Sequence, residues 1–174
     1  MPPVLPAKPD LSAAEILLLR QVARGDRNEV VSRVTGIDVS TVGDSVKALT
    51  FKLGTPYRHR AAALGVGWGW VRAEDVPALN PDNRPLPDQR RAVLVGLVAG
   101  DHPEAIAKQL GLTKGTVETY IQTLLRSLGV RSRQQAAARA LLTGIVSLSA
   151  LGKGWPDVPL ADVHGLALQL DKKS

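Results

Sequence analysis

The chain contains no cysteine, which excludes a disulfide framework and a thiolate metal site. Its histidines, His59, His102 and His164, are scattered along the sequence. No zinc-ligand spacing forms, and no metal or other cofactor is expected. Aromatic residues are few, with Trp 3, Tyr 2 and Phe 1 in 174 residues. A core must therefore be built from Leu, Val, Ile and Ala, which suits helices packed at short range. No apolar run approaches the roughly 18 residues of a membrane span. The opening MPPVLPAKPD has too short an apolar stretch for a signal peptide, so a soluble cytoplasmic protein with no membrane partner is expected. A Gly-rich phosphate loop, a Ser–His–Asp order and paired acids in a cleft are all missing, and the chain does not read as an enzyme.

What remains is a hydrophobic content of 44 %, enough for real cores, and a net charge of +6 with a pI near 10.0. That charge points to a polyanionic partner.

Residues 1–10 carry four prolines and read as a flexible arm. From Leu11 the pattern becomes helical. Ser12 and Glu15 have capping-box spacing, an apolar run follows, and Gly25 stops it. Asp26 and Glu29 repeat the cap signal before a short helix ending near Gly36. Asp38 opens a third helix with Val42, Val46, Leu49 and Leu53 on one face. Leu86 restarts the pattern 75 positions later (86 − 11). Leu19/Leu94, Gly25/Gly100, Asp26/Asp101, Glu29/Glu104, Gly36/Gly111, Leu53-Gly54/Leu128-Gly129 and Ala61–Ala63/Ala136–Ala138 all coincide at that offset.

A second block, LGVGWGWVRAEDVPAL at 64–79, matches 151–166 at an offset of 87, so the second copy holds a 12-residue insertion (87 − 75). That insertion is expected to lengthen its fourth helix. Trp68 and Trp155 are each expected to close the core of their own half; Trp70 has no counterpart. Asp75 and Asp162 read as helix caps. The domains expected are an arm at 1–10, a first unit at 11–79, a linker at 80–87 and a second unit at 88–170.

The most informative stretch is GLTKGTVETYIQTLLRSLG, residues 111–129. Gly111 ends one helix and Thr113 caps the next, where Val117, Ile121, Leu124, Leu125 and Leu128 fall at helical spacing. A short helix, a Gly turn and a second helix with polar residues held outward form a helix-turn-helix layout.

With LGLTKGTV leading into this helix and LGVRSRQQAAARAL into the next, residues 86–145 resemble the LuxR/GerE-type DNA-binding domain. The first copy, GIDVSTVGDSVKALTFKLG, resembles it only through the second. The resemblance implies an all-α chain of two tandem four-helix domains from an internal duplication, each with a short Trp-containing extension. It implies a third helix in the major groove, with Glu118, Thr119 and Gln122 facing bases and Lys114, Thr116, Arg126, Arg131 and Arg133 near the backbone. In the first copy, Gly43, Asp44 and Lys47 take the base-facing places, with Thr41, Lys52, Arg58 and His59 near phosphates. Gln reads adenine, Glu accepts from cytosine, and flanking cations supply the salt-dependent term.

In this family the fourth helix pairs with that of a partner. Ala136, Ala137, Ala140, Leu141 and Ile145 provide such a face, as a homodimer or as an internal pseudo-dimer within one monomer. The function implied is a sequence-specific double-stranded DNA-binding transcriptional regulator with two non-identical half-sites. Two alternatives stand beside it. One is a protein-interaction module, an RNA polymerase adaptor or anti-activator contacting another regulator; the other is a protein like sigma region four.

Overall fold

The computed structural model describes residues 3–163. The secondary structure of these residues is entirely helical: α1 Ala13–Arg24, α2 Asn28–Thr35, α3 Val42–Lys52, α4 Arg58–Gly67, α5 Asp88–Ala99, α6 Pro103–Leu110, α7 Lys114–Leu128 and α8 Arg133–Leu142. Short 3-10 turns occupy Val39–Thr41, Ala73–Asp75 and Leu148–Leu151.

Local chemistry sets these boundaries. At the start of α1, Ser12 Oγ accepts from the Glu15 N–H at 3.1 Å while Glu15 Oε1 accepts from the Ser12 N–H at 3.0 Å. Ser132 and Gln135 form the same reciprocal cap on α8. Asp26 and Asp101 do not cap, because the N-cap places fall one residue later, on Arg27 and His102. Asp26 instead pairs with Arg24 at 3.2 Å. Asp75 closes the turn before it, accepting from the Arg72 N–H at 2.9 Å.

Three helices of the second half begin 75 residues after those of the first (88 − 13, 103 − 28, 133 − 58), and the pairs match in length at 12, 8 and 10 residues. The third pair differs. α7 has 15 residues, whereas α3 has 11 because its first turn, Val39–Thr41, is 3-10.

At the centre α4 lies along α8, and α1 and α5 each touch both. Ala61, Ala62, Ala63, Ala136, Ala137 and Ala138 are all 0 % exposed. With side chains ending at Cβ, two helices can approach closely. The flanking contacts are exchanged between halves. Gly25, closing α1, rests on Ser132, and Gly100, closing α5, rests on Arg60 of α4. Arg60 also donates from Nη1 to the Ala99 carbonyl at 3.0 Å. Each half's first helix thus ends on the other half's fourth, a pseudo-twofold arrangement. The apolar core runs through both halves without interruption.

Two expectations change here. Trp68 and Trp155 do not close separate cores, because their rings meet 5.2 Å apart across the seam. Gly67 makes room for this, since a Cβ there would fall 2.8 Å from the Trp155 ring. The insertion does not lengthen α8, which has the same 10 residues as α4. Gly144, at φ 76, turns the chain away, and Leu148 and Leu151 then fill the core from a 3-10 turn. Residues 3–10 touch the body of the chain at two places. The Trp68 indole donates to the Pro6 carbonyl at 3.0 Å, and Lys8 lies 5.9 Å above the Trp70 ring. The end of the second extension, 164–170, lies outside the described residues, as does His164.

The linker is stitched to the end of α7. The Leu79 N–H donates to the Gly129 carbonyl at 2.9 Å and that of Asp82 to Ser127 at 2.7 Å. Gly129 has φ 70, and a Cβ there would sit 2.3 Å from the Leu79 carbonyl oxygen. Gly36 has a similar φ of 77 but open space around it. Gly129→Ala is therefore expected to lower the thermal midpoint more than Gly36→Ala. The left-handed backbone alone costs an alanine about 1–2 kcal/mol, or roughly 2–8 °C at this chain length. Circular dichroism melts measure both shifts, and equal ones would show that the Leu79 contact constrains nothing.

Candidate nucleic-acid interface

The α6–α7 pair is built for rigidity at its turn. Gly111 leaves α6 at φ 67, and the Leu112 N–H bonds back to the Ala107 carbonyl at 2.9 Å. Thr113 then caps α7, its Oγ1 accepting from the Thr116 N–H at 3.1 Å. Val117, Ile121, Leu124, Leu125 and Leu128 are buried, which fixes the rotation of α7. Lys114, Glu118, Thr119, Gln122 and Arg126 are consequently exposed along the opposite side.

Individual side chains qualify this face. Lys114 Nζ lies 3.3 Å from Glu104 Oε1, an exposed pair that salt screens readily. The Thr119 hydroxyl donates to the Gly115 carbonyl at 3.0 Å, so the residue offers outward mainly its methyl group. Thr116 is half-buried, with its hydroxyl 2.9 Å from that of Thr113. Arg131 is exposed in the α7–α8 turn, while Arg133, the first residue of α8, is half-buried. Sequence reading misses two neighbours: Tyr120 donates its hydroxyl to Gln89 Oε1 at 3.2 Å, and the Arg90 guanidinium lies 5.8 Å over its ring. Tyr120 is the one aromatic in α7, just off the apolar stripe, but nothing in the sequence ties it to the start of α5.

The matching face of the first half is different. Asp38 Oδ1 accepts from the Ser40 N–H at 2.9 Å and from its hydroxyl at 2.6 Å, and these bonds hold the carboxyl below its usual pKa. The Thr41 hydroxyl is turned inward to the Asp38 carbonyl at 2.9 Å. Asp44, Lys47 and Arg58 are exposed and Gly43 is half-exposed. Lys52 is engaged with Glu15 at 2.9 Å. In the 75-residue register the counterpart of Arg126 is Phe51 rather than Lys52, those of Lys114 and Arg131 are Val39 and Pro56, and Phe51 is 86 % exposed.

Ala136, Ala137, Ala140 and Leu141 are all 0 % exposed. Ile145 lies beyond the end of α8, half-buried, in the wall of a cavity of about 410 Å³ formed with the linker and the end of α7. No helix among the described residues is long and apolar enough to cross a membrane. No group of three or more His, Asp, Glu or Cys is placed among them to hold a metal ion.

His59 does not reach this surface. It is 9 % exposed and stacks on Tyr57 at 5.7 Å, and Tyr57 meets His102 edge-on at 4.7 Å. Burial pushes its pKa below 6.5, with Arg133 and His102 adding to the effect and the Asp101 backbone and carboxylate opposing it. The neutral ring is thus favoured in the folded state. As pH falls below 6.5 the unfolded chain takes up a proton that the folded chain resists, so stability drops until the lowered folded pKa is passed. Urea unfolding midpoints measured from pH 7.5 to 5 are expected to fall, and His59→Gln to flatten that part of the curve. An unchanged slope in the variant would assign it to another group.

Comparison with known proteins finds a family match within the second half. The family model described as bacterial regulatory proteins, luxR family, matches residues 84–140. The chain is 30 % identical over 81 residues to the transcriptional regulatory protein LnrK of Bacillus subtilis, covering 44 % of this chain and 37 % of that protein. It is 30 % identical over 82 residues to the putative HTH-type transcriptional regulator YhjB of Escherichia coli, covering 44 % and 39 %. The chain thus spans well under half the length of these relatives. No solved structure gives a significant match.

Proposed function

We propose, from the premise that residues 84–140 form a LuxR-family helix-turn-helix domain, that the chain binds double-stranded DNA as a non-enzymatic transcriptional regulator and reads it through α7. The observation that carries this is the exposed stripe Glu118, Thr119 and Gln122, flanked by Arg126 and Arg131, on a helix whose rotation is fixed by five buried side chains. Gln122 and Glu118 supply base-edge hydrogen bonds, Thr119 a methyl for thymine, and the arginines a phosphate grip. Arg90, over Tyr120, adds a further cation from the start of α5.

In this reading the first half is a diverged copy of the same unit, supported by helices that recur 75 residues apart. Its α3 is the weaker reader, with Val39, Phe51 and Pro56 where the second half has Lys114, Arg126 and Arg131. The α8 face that would join two subunits is covered by α4 of the same chain, so the internal pair replaces that homodimer. A protein-docking role for the first half is favoured by one observation, Phe51 at 86 % exposure.

Duplex binding measured across about 50–200 mM salt is expected to weaken with a slope of roughly −0.9 per phosphate contact. Arg126→Ala and Arg131→Ala should each reduce the size of that slope by about one. Gln122→Ala should relax base preference by about 1–3 kcal/mol while leaving the slope alone, and Lys47→Ala should leave both unchanged. Absence of binding at low salt sinks the DNA reading. A slope that responds to Lys47→Ala and not to Arg126→Ala assigns reading to α3 instead.

A further inference from the structure

The outward face of α3 has a charge order that its counterpart on α7 lacks. Ser40, Asp44, Lys47, Ala48 and Phe51 are all exposed, at spacings that bring them to one side of the segment. Phe51 is the chain's only phenylalanine, and its 86 % exposure is the highest among the exposed large hydrophobics of the described residues. Val39, at the start of the stripe, is 46 % exposed. Among the described residues neither Asp44 nor Lys47 takes part in an ion pair. At the equivalent places α7 has Gly115, Thr119, Gln122, Thr123 and Arg126, none of them a large apolar group.

We propose that this face docks a second copy of the chain, α3 lying antiparallel on α3 about a twofold axis between residues 45 and 46. In an isologous contact residue i meets residue j and j meets i. With positions summing to 91, Asp44 stands opposite Lys47 of the second copy and Lys47 opposite its Asp44. Gly43 faces Ala48, two small residues that let the helices approach. Phe51 covers Ser40 beside the apolar Val39. A register in which the positions sum to 95 instead lays Asp44 against Phe51 and crowds the two Lys47 ammoniums together. The pairing of opposite charges therefore selects one register and one partner, another copy of this chain. Nucleic acid fits poorly, since Phe51 stands where a phosphate-gripping arginine would.

This proposal goes beyond the DNA reading and does not depend on it. In such a dimer both α7 faces stay uncovered, and the assembly presents two identical reading helices related by a twofold axis.

A contact of one helix pair is small beside a standard interface of roughly 1,600 Å², so a Kd on the order of 10–100 µM is expected. Sedimentation velocity of the full chain, without DNA and at low salt, measures it across that range. Asp44→Lys and Lys47→Asp each create two like-charge contacts and should weaken association roughly tenfold or more. An equimolar mixture of the two restores both opposite-charge pairs and should sediment as a heterodimer. Phe51→Ser, at a position with almost no contact inside its own chain, should also weaken dimerisation while leaving the circular dichroism melt unchanged. A wild-type chain that stays monomeric throughout, reversals that leave the dimer intact, or a mixture that forms no heterodimer would each overturn the proposal.

Discussion

The structure depends on the contact between α4 and α8. Ala61–Ala63 on one helix and Ala136–Ala138 on the other are fully buried, and their short side chains bring the two axes together. Everything else is placed by that pair. α1 and α5 lie across both helices, their glycine ends resting on Ser132 and Arg60 of the opposite half. Trp68 and Trp155 meet over one end, where Gly67 leaves space for the ring. Any larger residue in this seam would have to push apart two helices that α1 and α5 both lean on, and overpacking of that kind costs about 1–3 kcal/mol.

The helix pairs α2–α3 and α6–α7 sit outside this centre. α2 and α3 reach it through α1, and α6 and α7 chiefly through α5 and the start of α8. The inner stripes of α3 and α7 are accordingly alike: Val42 with Val117, Val46 with Ile121, Leu49 with Leu124 and Leu53 with Leu128 are all buried. The outer stripes answer to no such constraint and differ. α7 has exposed polar groups and cations, whereas α3 has Asp44, Ala48 and Phe51 among its exposed residues. One frame thus supports two surfaces of different chemistry.

What was legible in the sequence follows the same line between local and distant causes. The starts of α1 and α7 were readable because each is set within a few residues, by Ser12 with Glu15 and by Thr113 with Thr116. The apolar stripe of α7 followed from spacing alone, and with it the outward side chains. The meeting of Trp68 and Trp155 was not readable, since its partners lie 87 residues apart and only the α4–α8 contact joins them. The stop after α8 left a local signal, Gly144 after Leu141-Leu142-Thr143, that an offset-based expectation of a longer helix overrode. His59 beside Arg58 looked equally free in sequence. Only the packing of α4 against the second half buries it.

An internal pair also changes what is left for association. A helix face that serves two chains must be exposed in each, and α8 has spent its face within one chain, with Ala136, Ala137, Ala140 and Leu141 at 0 % exposure. Any contact with a further chain then has to use surface elsewhere. The larger exposed apolar groups within the pairs α2–α3 and α6–α7, Val34, Val39 and Phe51, all belong to the first half. The exposed arginines Arg126 and Arg131 belong to the second. Apolar surface gains by leaving water, and a row of cations gains by meeting phosphates. The two halves thus present surfaces of different chemistry on either side of one buried alanine seam.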